Sequence, residues 1–190
     1  MRRFFLAALI LSTLAAAGCG VNSTVIPAQA TAGRVASAQA LVEEGSLVFD
    51  KNVVYRTVDV LGIGPVYSAK LEAAGIKTVK QLLLAGTTRS ARARLVSVTG
   101  ISSKLLLTWI NHADLMRVTG AGPEYSRLLE RAGVDTVLEL SRRNSVNLVA
   151  ALRAANGMGG GKRLVKRLPN ITTTTRWVDN ANQFVRLITY

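Results

Sequence analysis

LGIGPVYSAKLEAAGIKTVKQL occupies residues 61–82, and TGAGPEYSRLLERAGVDTVLEL occupies residues 119–140, a constant 58 positions later. Gly62, Gly64, Pro65, Tyr67, Ser68, Leu71, Glu72, Ala74 and Gly75 return as Gly120, Gly122, Pro123, Tyr125, Ser126, Leu129, Glu130, Ala132 and Gly133. Self-similarity at such a spacing marks one structural unit used twice. The pattern predicts a glycine bend, then a helix. Proline follows the second glycine, where a helix has no use for its missing N–H. Tyr67, Leu71 and Ala74, like Tyr125, Leu129 and Ala132, recur on one helical face. Gly75 and Gly133 are placed to stop that helix, and Thr78 and Thr136 to start a second, through Leu82–Leu84 and Leu138–Leu140. Each repeat therefore reads as a compact pair of short helices.

Working outward, Gly100-Ile101-Ser102-Ser103 reads as a turn and serine cap. The segment from Lys104 to Val118 then places Leu105, Trp109, His112 or Ala113, and Met116 on one face, with Trp109 buried. Trp177-Val178-Asp179-Asn180-Ala181 echoes Trp109-Ile110-Asn111-His112-Ala113 at an offset of 68, so the second half carries an insertion. Its location is 156–175, where the glycines of GMGGGKR precede a cluster of Lys162, Arg163, Lys166 and Arg167. That stretch predicts a loop, a short basic helix and a cap for the last helix. It lacks the spacer and terminal Ser or Thr of a nucleotide-binding loop.

The ends organise differently. Arg2 and Arg3 precede an apolar run, Phe4 to Leu14, too short for a permanent membrane span. Ala15-Ala16-Ala17-Gly18 then leads to Cys19, the single cysteine. The arrangement resembles a bacterial lipoprotein signal (1–18). That resemblance implies a lipidated (palmitate-bearing) Cys19 and a location in the cell envelope, facing outside the cytoplasm. Ordinary secretory cleavage after an Ala-x-Ala site is the alternative. Residues 19–33 read as a tether and 34–57 as an extension. In that extension Ala32 to Glu44 suits a short helix, and Leu47 to Val60 suits irregular or extended structure. The repeats divide at 58–115 and 116–190. The fold class expected is all-α.

The chain has 190 residues with a formal charge of +13. Residues 20–57 balance three basic groups with three acidic ones, so the surplus after the signal lies on the repeated part. Such a surface gathers anions, whether nucleic acid, anionic lipid or an acidic polymer. The bends Gly62-Ile63-Gly64 and Gly120-Ala121-Gly122 add backbone N–H groups at helix starts, a cradle for phosphate that ignores base identity. Lys70 and Lys77 neighbour the first; Arg117, Arg127 and Arg131 neighbour the second. Glu124 at the mouth of the second opposes an anion. The same glycines would equally serve two helices crossing closely, with Ile63 in the core.

Gly62-Ile63-Gly64-Pro65 with Ala69, Leu71 and Ala74-Gly75-Ile76 resembles the helix-hairpin-helix motif of DNA repair, ligation and recombination proteins. The resemblance implies phosphate contact through main-chain amides at Gly62, Ile63 and Gly64, and again at Gly120, Ala121 and Gly122. Residues 58–185 resemble more closely an uncharacterised bacterial family with two such motifs. Its linking segment is matched by Trp109 to Arg117, and its closing loop and helix by Pro169 and Trp177. The first hairpin departs from the pattern, because a valine-rich piece and not a clear helix precedes it.

Catalysis finds little support. His112 is the single histidine and sits beside Trp109 on a packing face, and no carboxylate pair joins it at ligand spacing. The expectation is a non-catalytic module with no cofactor, metal or small-molecule substrate. A protein partner leads, because an extracytoplasmic site keeps most chromosomal DNA out of reach. Sequence-independent DNA binding is the alternative, and a structural role against anionic lipid the third.

Overall fold

The computed structural model describes residues 54–157 and 163–190. Cys19, the tether, most of the extension and Lys162 lie outside them. Eight α-helices are present among the described residues, and no strand. The first repeat carries α1 (Pro65–Ala73), α2 (Val79–Ala85), α3 (Arg89–Thr99) and α4 (Ser103–Leu115). The second carries α5 (Pro123–Arg131), α6 (Val137–Ser141), α7 (Ser145–Gly157) and α8 (Ile171–Ala181). The all-α expectation holds.

Local chemistry sets the helix boundaries. Pro65 and Pro123 open α1 and α5, with Gly64 and Gly122 as extended caps. Both helices end in the same backbone motif. Ile76 N–H donates to Leu71 O at 2.8 Å and Gly75 N–H to Glu72 O at 2.9 Å; Val134 and Gly133 repeat this on Leu129 and Glu130 at 2.9 Å each. Thr78 Oγ1 accepts from Gln81 N–H, and Gln81 Oε1 accepts in return from Thr78 N–H at 3.1 Å. Thr136 Oγ1 does the same for Glu139 N–H, starting α6. Serine-102 capping of α4 is also present, with Ser102 Oγ accepting from Leu105 N–H.

Each repeat is four helices: the expected pair and the expected tryptophan-bearing helix, with one further helix between them. The third helix opens on Thr88 Oγ1, which accepts from Ala91 N–H, and on Asn144 Oδ1, which accepts from Val146 and Asn147. The packing is duplicated along with the sequence. In the first repeat α1 packs on α3, and both α2 and α3 pack on α4; α5 on α7, and α6 and α7 on α8, are the counterparts. Each half buries its own core around one tryptophan, Trp109 or Trp177, with Leu115 and Met116 at the seam.

Several contacts cross that seam. Helix α4 packs on α5, where His112 Nε2 donates to Glu130 Oε2 at 2.8 Å. The chain after α8 returns to the first half, where Ile188 joins the first core and Thr189 N–H donates to Thr87 O at 2.9 Å. Arg92 holds this tail through Nη2 to Thr189 O at 2.8 Å, while its Nη1 donates to Gly86 O. Finally, Tyr55 from the entry strand-like turn reaches the second hairpin, as described below.

Residues 54–60 show the extended expectation in small measure. Arg56 forms an isolated antiparallel bridge with Thr78, and Thr57–Asp59 is a 3-10 turn. Val60 is buried in the first core. The short basic helix expected near Lys166 is absent from residues 163–169. Asn156 fixes that segment instead, donating through Nδ2 to Val165 O at 3.1 Å and accepting from Val165 N–H at 3.0 Å. The backbone groups of Val165 are thereby satisfied without a helix. Asn170 supplies the cap of α8, accepting from Thr173 N–H at 2.9 Å.

Candidate functional site: two hairpins in one fold

The hairpins are built alike. Gly62 has φ of 101° and Gly120 of 84°, a region that an L side chain enters only with strain. Both are exposed. The residue between the glycines turns inward, leaving Ile63 3% and Ala121 1% exposed. Its N–H closes a turn, from Ile63 to Val60 O at 3.0 Å and from Ala121 to Val118 O at 2.9 Å. Ile63 and Ala121 are therefore corrected from phosphate contacts to core anchors. Their amides are spent inside the protein. The N–H groups of Gly62, Gly64 and Val66, and of Gly120, Gly122 and Glu124, have no partner among the described residues.

Behind each bend stands a tryptophan from the last helix of the same repeat. A Cβ built on Gly62 would lie 3.2 Å from Trp109 Nε1; one on Gly120 would lie 3.5 Å from Trp177 Nε1. Tyr67 packs on Trp109 with ring centroids 5.1 Å apart and planes at 60°, and Tyr125 on Trp177 at 5.2 Å and 61°. The glycine, the tyrosine and the tryptophan of each repeat are thus one assembly. Tyr67 and Tyr125 belong to the repeated phrase, whereas the sequence marks Trp109 as a core residue and Trp177 as its echo, without linking either to a bend.

The two bends differ at their mouths. Among the described residues nothing approaches within 4 Å of a Cβ built on Gly64, whereas one on Gly122 would meet Tyr55 Oη at 3.2 Å. The first turn of α1 presents Val66, 70% exposed, where α5 presents Glu124. A carboxylate at a helix N-terminus stabilises the helix and repels an anion from it. The first hairpin is open and uncharged; the second is screened and acidic.

The candidate basic residues separate in the same way. Arg117 is corrected outright, because its side chain is 0% exposed. Its guanidinium donates to Asp114 Oδ1 at 2.7 Å and to Val185 O, and lies 4.7 Å above the Phe184 ring. It is internal, and no surface ligand reaches it. Lys70, Lys77, Arg131, Arg163, Lys166 and Arg167 are exposed, and Arg127 is half-buried. Lys70 Nζ lies 4.0 Å from the Cβ position of Gly100, against the C-terminal end of α3 where a cation is favoured. Arg167 is tied to the second hairpin, as its carbonyl accepts from Tyr125 Oη at 3.0 Å.

His112 is buried, as its packing face suggested. Its Nε2 donor holds the Glu130 carboxyl below the usual carboxylate range, with Arg127 and Arg131 adding to the effect. Asp135 moves the other way, raised by burial and by its acidic neighbours Glu139 and Glu130. Among the described residues no three His, Cys, Asp or Glu gather as metal ligands, and no helix is long and apolar enough to cross a membrane. A cavity of about 180 Å³ lies apart from both bends, lined by Asp114, Glu139, Arg142, Arg186 and Tyr190. Its carboxylates are already engaged, Asp114 by Val137 N–H and Glu139 by Asp135 N–H.

No curated protein and no solved structure matches the chain. Residues 61–184, about two thirds of its length and the span of both hairpins, match the model of a domain of unknown function, DUF4332, and the chain belongs to that family.

Proposed function

We propose that this chain is a non-catalytic envelope lipoprotein, held by lipid on Cys19, that grips the phosphate backbone of nucleic acid at its first helix-hairpin-helix turn. The observation that carries this reading is the open mouth at Gly62 and Gly64, with free backbone N–H groups at the start of α1. Donors of that kind take an oxyanion and read no base. Exposed Lys70, Lys77 and Lys104 surround this half of the molecule with positive charge. The second hairpin keeps the architecture and gives up the ligand, through Glu124 and Tyr55. Catalysis is disfavoured because the buried ionisable groups are already paired, His112 with half-buried Glu130 and Asp114 with Arg117.

The test is binding of the purified chain to a random-sequence duplex across a salt series. A log K that falls linearly with log salt, independent of sequence, supports the reading. No retention at the lowest salt overturns it.

A second reading, a scaffold for a protein partner, draws on two exposed apolar side chains of the first repeat. Val66 on α1 and Val98 on α3 are each 70% exposed, and α1 packs on α3. Replacing both by serine would abolish partner capture under that reading and leave duplex binding intact under the first.

A further inference from the structure

We propose that the indole N–H of Trp109 is a side-chain donor to the phosphate at the first hairpin, so the site is more than a bend of backbone amides. This rests on the phosphate reading above and adds a residue to it. Trp109 is 2% exposed, and its Nε1 has no hydrogen-bond partner among the described residues. A donor with no partner in the protein is left to water or a ligand, because one left idle costs about 1–3 kcal/mol. The unpartnered side-chain atoms sealed from solvent among the described residues are His112 Nδ1 and Arg117 Nε. Trp109 Nε1 is therefore unpartnered but not sealed. Its outlet is the space beside Gly62.

That space exists because residue 62 has no side chain. A Cβ there would sit 3.2 Å from the indole nitrogen and, chain neighbours aside, within 4 Å of no other atom of the described residues. Tyr67 packs against the ring at a 60° tilt and sets its angle, so the N–H is preoriented. An oxyanion beside Gly62 then meets donors of two kinds: free amides at the start of α1 and the indole from α4. A tetrahedral phosphate presents several oxygens and serves such divergent donors together; a planar carboxylate presents two. Trp177 holds the same pose behind Gly120, 3.5 Å from the Cβ position. There, however, Glu124 stands in the first turn of α5, and Tyr55 Oη lies 3.2 Å from the Cβ position of neighbouring Gly122. The donor role belongs to Trp109 alone.

The chain has two tryptophans, so a 15N-labelled sample of the full chain gives two indole N–H signals. The signal missing from Trp109→Phe is assigned to Trp109; Trp177→Phe assigns it by elimination where the first variant does not fold. Titration with inorganic phosphate, then with a short random duplex, is expected to move the Trp109 signal saturably and leave the Trp177 signal in place. Where Trp109→Phe folds, it should bind duplex about 10–150-fold more weakly, the size of one hydrogen bond to a charged group. The slope against salt should not change, because a neutral donor releases no counterion. Duplex binding with a stationary Trp109 signal overturns this proposal while the DNA reading stands. A signal moved by phosphate, with no duplex binding at low salt, supports the indole donor and removes the nucleic acid. Movement by phosphatidylglycerol vesicles alone assigns the site to a lipid headgroup and likewise overturns the nucleic-acid source.

Discussion

Replacing Arg117 by methionine isolates the contact that joins the repeats' seam to the returning tail. The Arg117 side chain is 0% exposed and that of Asp114 is 5%. Methionine fills a similar volume but leaves the Asp114 carboxylate with Val137 N–H as its remaining partner, at 3.0 Å. It also strips Val185 O of two guanidinium contacts, at 3.3 and 3.4 Å, and Phe184 of its cation. Removing one partner of a buried ion pair costs about 3–5 kcal/mol, because the other charge stays buried without it. The tail contacts are part of the same truncation and are not added again. For a chain of this size the loss corresponds to a fall in Tm of about 10 °C. Urea unfolding followed by circular dichroism measures it, and the dependence on urea should keep its slope. Amide exchange at Val137 should quicken, since the carboxylate it donates to is no longer oriented. Under conditions where the variant is folded, duplex binding should match the wild type, because Arg117 never faces the ligand. A loss below about 1 kcal/mol, the size of a surface pair, would refute the internal role of this arginine.

Other perturbations have signs that the structure sets. Gly86→Ala drives a Cβ into Ile110 Cδ1 and places it 2.7 Å from Ile110 Cγ1. Ile110 is fully buried, so thermal unfolding should show a loss of about 1–3 kcal/mol, the usual cost of overpacking. Glu130 has its folded carboxyl lowered chiefly by His112. Its contribution is present above the ordinary glutamate value and lost as pH falls through the lowered one, so the deficit of Glu130→Gln at neutral pH should vanish on that descent. Asp135 is raised, so its ionised form opposes folding at neutral pH and is relieved as pH falls through the raised value. Asp135→Asn should therefore be the more stable protein at pH 7, with the gap closing in acid. Cys19→Ser should move the chain from the membrane fraction to the soluble one, and mass analysis of the wild type should show acylation at residue 19.

The local parts of this fold were legible because their signals are short-ranged. Gly62-x-Gly64-Pro65, the stop at Gly75 and the Thr78 cap each act within a few residues, and each stands where its chemistry required. The third helix of each repeat went unread. RSARARL in α3 is polar except where Leu95 reaches the core, so its periodicity is faint. Thr88 and Asn144, both good caps ahead of breaker-free runs, were the available clue. The return of Ile188 to the first core has no local signal, since the residues it meets lie about a hundred positions earlier. Arg117 was misread as a surface base for a different reason. Asp114 stands three residues before it, within reach along one helical turn, and whether that pair faces inward is decided by packing. Of the site, the glycines were legible and the tryptophans' place behind them was not. Periodicity identifies an indole as buried but is silent on where its N–H points.

The duplication supplies its own control for the claim that the first bend holds phosphate. Val66→Glu gives that bend the carboxylate that Glu124 gives the second. Val66 is 70% exposed in the first turn of α1, so the fold should be unchanged or gain about 0.3–1 kcal/mol from the helix dipole. Affinity for random-sequence duplex at fixed low salt is the measurement. The variant should be as stable as the wild type or more so, yet bind at least tenfold more weakly. Equal affinity in the two proteins would contradict the placement of phosphate at the first hairpin.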